Sequence, residues 1–167
     1  MALSATVTNS IVGTITNSLD LQEQSSALTS SDSLSLTDGT GANQANNVFS
    51  DQRTLAASAN EELDLAGSLT DAYGSTITFT KVKALKVSAA SGNTNSVNVG
   101  GAAANGFINW VGDATDVIKI PPGGTFLITA PDATGFAVTA GTGDLLKITN
   151  GGGSTSVTYD IVIIGVE

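Results

Sequence analysis

Hydrophobic and polar positions alternate most cleanly in SVTYDIVIIGVE, residues 156–167. Val157, Tyr159, Ile161 and Ile163 fall on one parity; Thr158, Asp160, Val162 and Ile164 fall on the other. A period of two is that of a β-strand. The first half of this strand has one wet face, and the second half is apolar on both. So apolar a run is expected centrally in a sheet, because an exposed edge of that composition invites aggregation. Upstream strands must then pair with it and cover it.

The same period recurs at the start of the chain. Leu3, Ala5 and Val7 alternate with polar residues, and Ile11, Gly13 and Ile15 keep the parity. This predicts one long half-apolar strand, or two short ones broken near Asn9-Ser10; the Thr, Val and Ile content disfavours a helix. Residues 22–47 are rich in Ser, Thr, Gly and Asn, with sparse leucines at Leu28, Leu34 and Leu36, and LTDGTGANQANN reads as a loop around an Asp38-Gly39 turn. Residues 1–47 therefore read as an extended arm seeking a sheet edge, with a disordered linker as the alternative.

From Val48 the strand pattern tightens. Strands are expected to end near Leu55, to run through Leu63 and Leu65, and to follow in ITFTKVKALKVSAA, SVNVGG and DVIKI. Pro122 and Gly123 fit the central positions of a type II turn, which predicts a hairpin between DVIKI and TFLITA. GFAVTAG, DLLKITN and the C-terminal strand would continue as a meander. Regular strand spacing with Gly-rich turns points to an all-β sandwich or barrel over residues 48–167, with residues 1–47 as its arm.

Composition narrows the function more than the fold. The 167 residues suit one domain, or one domain with an extension. A net charge of −9 argues against a nucleic-acid partner. Lys81, Lys83 and Lys86 form only a weak basic cluster and read as solvent-facing lysines on a strand. No apolar run approaches the roughly 18 residues of a spanning helix, so no membrane partner is expected. Met1–Leu19 lacks the basic start and apolar block of a secretory signal.

The chain has no cysteine and no histidine. That excludes thiolate chemistry, disulfides and any Ser-His-Asp triad, and removes the commonest general base and transition-metal ligand. Asp113 and Asp116 could serve a Ca²⁺ loop, but match no complete motif and read as a turn bonding its own backbone. Glu61, Glu62 and Asp64 could pair as acid and base on a glycan. One Trp, two Tyr and five Phe supply few platforms for sugar, so these carboxylates read as solvated surface. The glycine-rich VGGAAANG and NGGGST lack the lysine of a phosphate loop and read as turns. Arg53, the only arginine, reads as a local salt-bridge fork. No catalytic residue, cofactor or metal is expected.

The strings DQRTLAASANEELDLAGSLTDAYG, SGNTNSVNVGG, WVGDATDVIKIPPGGTFLITAPDATGFAVTAGTGDLLKITN and SVTYDIVIIGVE resemble a group of small virion structural proteins of tailed bacteriophages. The likeness covers about residues 48–167 and is looser in SIVGTITNSLDL and LTDGTGANQANN. In size and composition the chain also resembles phage capsid decoration, or cement, proteins. That resemblance implies a jelly-roll-like antiparallel β-sandwich with an extended N-terminal arm, a homotrimer, and the major capsid protein as partner. It implies a protein made in the bacterial cytoplasm and carried on the outer surface of the capsid. Leu3, Val7, Ile11, Ile15 and Leu19 of the arm are the expected partner-binding residues. A tail- or connector-associated β domain and a carbohydrate-binding adhesion module are the alternatives; the scarcity of aromatics counts against the latter.

Overall fold

The computed structural model describes residues 2–167, which form twelve β-strands, numbered in chain order, and no helix. The C-terminal strand β12 (Val157–Val166) lies centrally in its sheet, as its composition predicts. It is antiparallel to β4 (Asn47–Leu55) on one side and to β6 (Lys81–Ala89) on the other. The far edge of β6 is shared by β9 (Thr125–Thr129) and the two-residue β10 (Phe136–Ala137). A second antiparallel sheet has the order β5 (Asn60–Asp64), β11 (Leu145–Asn150), β7 (Val97–Gly100), β8 (Val117–Ile120).

Between β4 and β12 only β7–β8 and the short β9–β10 step stay within one sheet; every other connection crosses to the opposite layer. The resulting orders, β4-β12-β6-β9 facing β5-β11-β7-β8, are those of a jelly-roll sandwich. This corrects the expected meander. It also corrects the expected hairpin at Pro121–Gly124. The turn itself is present, with Gly124 N–H donating to Pro121 O at 2.8 Å and Gly123 at φ +74°. Its flanking strands nevertheless belong to opposite sheets. Gly123 N–H reaches Ala89 O at 3.1 Å, tying the turn to the end of β6, so the chain changes layer there. Turn chemistry encodes the reversal and is silent on which sheet receives the next strand.

The two layers close on one apolar core that draws on every long strand of the sandwich. It includes Phe79, Leu85, Leu146, Ile148, Tyr159 and Ile161, each with almost no exposed surface. Burying each such side chain contributes about 1.5–3 kcal/mol. Trp110 packs tilted on Phe126, ring centres 5.5 Å apart, and its indole N–H donates to Phe107 O.

The arm is not a lone strand. β1 (Ser4–Ser18) runs unbroken through Asn9-Ser10 and pairs along its whole length with β2 (Glu23–Asp38), a hairpin closed over Leu19–Gln22. Much of the expected irregular segment after Gln22 is therefore strand. Its Ser and Thr side chains suit a ribbon with wet faces, and Leu28, Leu34 and Leu36 share one parity. The Asp38-Gly39 loop is where expected, and β3 (Gln44–Ala45) leads from it toward β4.

Candidate partner-binding face

Alternation places Leu3, Ala5, Val7, Ile11, Gly13 and Ile15 on one face of the hairpin, opposite Leu36, Leu34, Ser30, Leu28 and Ser26 of β2. At its base this face is used within the molecule. Leu36 and Ala45 are buried against Ala84 and Ile164 on the outer surface of the β4-β12-β6-β9 sheet, with Leu3, Ala5, Val7, Leu34 and Val162 packed around them. This explains why the second half of β12 is apolar on both sides.

Polar contacts fix the base further. Asn43 N–H donates to Pro131 O at 2.7 Å, and the Lys81 ammonium bridges Thr40 O at 2.9 Å and Ala133 O at 2.7 Å. Lys83 is not solvent-facing as expected. A β-bulge at Ile164/Gly165 leaves it without an opposite residue on β12, and it is fully buried with its ammonium donating to Asp132 O. Burial lowers its pKa, with neighbouring Lys81 adding to the effect. Asp132 in turn accepts the N–H groups of Thr134 and Gly135, which hold its carboxyl below the usual range. Of the three lysines only Lys86 is exposed.

Past Val7 the hairpin lifts away. An open cleft of about 740 Å³ lies beneath it, lined by Asn9, Lys86, Thr125, Leu127 and Val162 among others. Beyond the cleft the same apolar face continues bare: Ile11 is 63% exposed, Leu28 59% and Ile15 79%. At the tip Leu19 is 46% and Leu21 98% exposed. The projecting part, from Asn9 to Leu19, is about 33 Å long. Of the five expected contact residues, then, Leu3 and Val7 pack on the chain's own sheet, while Ile11, Ile15 and Leu19 face solvent. Leu21 and Leu28 join the exposed set; Leu28 was legible from its shared parity with Leu34 and Leu36.

The carboxylate candidates are engaged elsewhere. Asp116 accepts the N–H groups of Gly112 and Asp113, and Asp113 accepts both N–H and O–H of Thr115, which lowers its pKa. Glu61 is not a solvated surface group. It receives the Tyr159 hydroxyl at 2.6 Å and both Nε and Nη2 of Arg53, whose Nη1 also meets Asp51 at 2.8 Å. Arg53 is thus the expected local fork. Desolvation and then the bond to Glu61 push the Tyr159 hydroxyl well above its usual range. Glu62 is exposed, and Asp64 accepts Ala66 N–H. Among the described residues Tyr73 is the one largely exposed aromatic.

No protein family model, curated protein or solved structure matches the chain.

Proposed function

We propose that this chain is a non-enzymatic virion structural protein of a tailed bacteriophage, a decoration protein that binds and stabilises the shell of the major capsid protein. It acts as a homotrimer on the outer surface of the capsid after synthesis in the host cytoplasm. It needs no cofactor or metal and contacts neither nucleic acid nor membrane. The observation that supports an assembly role is the bare apolar stripe on the projecting hairpin. A ribbon exposing Ile11, Ile15, Leu19, Leu21 and Leu28 has a face that solvent does not favour and that another polypeptide can cover. The phage setting rests on the resemblance in residues 48–167. The engagement of Glu61 by Arg53 and Tyr159, and of Asp64, Asp113 and Asp116 by local backbone groups, supports the non-enzymatic reading.

The test is binding to purified capsid shells lacking the protein. Full chain should co-sediment with shells at a saturating stoichiometry, and Leu19→Asp/Leu21→Asp at the tip should weaken binding without unfolding the body. Full chain that fails to bind shells and instead associates with isolated tails, or with glycans, would move the function to one of the alternatives.

A further inference from the structure

Beyond Asn9 the hairpin is a two-stranded ribbon wet on both faces, and such a ribbon is marginal on its own in water. Its register shows what would complete it. On the stripe face the cross-strand pairs are Ile11–Ser30, Gly13–Leu28 and Ile15–Ser26. Each sets one large apolar side chain beside a serine or a glycine. Above and below them stand the polar pairs Asn9–Asp32 and Asn17–Gln24. The opposite face is mostly Ser and Thr, with Val12 as its one large apolar residue. Docking on a flat surface gives no reason for large and small to alternate. The inside of a narrow closed barrel does, because each layer must fit around the axis.

The edges agree. Ser4–Ser18 contains no charged residue and no proline, and pairs with β2 without a bulge, so its free edge carries none of the usual devices that block strand addition. The outer edge of β2 is likewise unpaired until Thr37 meets β3.

We propose that three copies of this chain join their hairpins, over residues 9–32, into a closed six-stranded antiparallel barrel. β1 of each pairs with β2 of the next, and Ile11, Leu28 and Ile15 of all three fill the interior. Two hairpins side by side leave two edges open and the stripe uncovered; three close the ring and remove every edge. The interior then receives three copies each of Ile11, Leu28 and Ile15, set beside Ser30, Gly13 and Ser26. The Asn9–Asp32 and Asn17–Gln24 pairs sit at the two wet mouths, and the Ser/Thr face turns outward. The barrel depends on the hairpin being an assembly element, as proposed above, and not on the shell being its destination. It leaves Leu19 and Leu21 at the tip for a further partner.

Sedimentation equilibrium of the full chain alone tests this. The expected mass at micromolar concentration is three times the 16.6 kDa of one chain. Ile15→Lys, which puts a charge inside the barrel, should weaken association by about 100-fold or more. Val12→Lys on the outward face, and the conservative Ile15→Val, should remain trimeric, with thermal unfolding showing the body intact in each variant. A wild-type mass of one or two chains would overturn the barrel, as would Val12→Lys dissociating as readily as Ile15→Lys. A trimer that ignores shells would sink the decoration role alone, and a monomer that binds shells would sink the barrel alone.

Discussion

Tyr159 carries a hydroxyl into the most apolar strand of the chain, and the sandwich accommodates it through one carboxylate. Glu61 accepts from Tyr159 on one oxygen and from Arg53 on the other. Tyr159→Phe removes the donor and leaves that oxygen half-buried, so it should cost about 1.5–3 kcal/mol in denaturant unfolding. A second residue-scale outcome concerns Gly123. A Cβ there would meet nothing closer than Ser91 at 3.6 Å, so the objection to a side chain is its φ of +74° alone. Gly123→Val should cost about 1–2 kcal/mol, and Pro121→Ala less; equal, mild effects on the thermal midpoint would contradict the type II turn. Gly165 differs, since its Cβ would lie 2.5 Å from Lys81 O and 2.7 Å from the Phe79 ring. The turn at Gly123 was legible because Pro-Gly chemistry is local. The roles of Gly165, Lys83 and Glu61 were not, because each is set by residues distant in sequence.

Among the elements, the hairpin divides into a base that belongs to the fold and a projection that does not. Leu36 and Ala45 are buried, so removing residues 1–47 strips the cover from Ala84 and Ile164 and should lower the thermal midpoint of what remains. Shortening the hairpin should not. Register pairs Asn9 with Asp32, so joining them through an Asn-Gly turn retains the base and deletes chain that is exposed apart from half-buried Gly13. At a dilution where both chains are monomeric, this variant should unfold within about 0.5 kcal/mol of wild type, the usual range for changes away from buried features. A large loss of stability would mean that the projection packs on the body. β1 was legible from its alternation. β2 was obscured because Ser and Thr serve loops and wet strands alike, and only the parity of Leu28, Leu34 and Leu36 marks it.

At the level of the whole molecule, the all-β class and the central place of β12 follow from hydrophobic period, while the jelly-roll path does not. Period two says that a strand has an inner face; it cannot say which of two facing sheets the strand joins, so Ile120 and Phe126, six residues apart, enter one core from opposite layers. The fold also sets a pH response. Asp113 and Asp132 are held below their ordinary value of 3.8 by N–H groups that bond the ionised form. Their contribution is present above 3.8 and is lost as pH falls through the folded values, so acid should lower the unfolding midpoint and Asp132→Asn should flatten that decline. Lys83 acts at the other end. Its folded pKa lies below 10.5, so the unfolded chain binds more protons as pH rises toward that value, and stability gains. Lys83→Met should abolish that gain between neutral pH and 10.0, above which the raised Tyr159 opposes it.

The assembly role is tested most directly by cryo-electron microscopy of intact virions that carry the protein. The predicted result is density on the outer surface of the head in groups of three jelly-roll bodies, their hairpins converging on a common axis and their Leu19–Gln22 tips or bodies touching the shell. Density confined to the tail, or single bodies whose hairpins stand free of any neighbour, would contradict it.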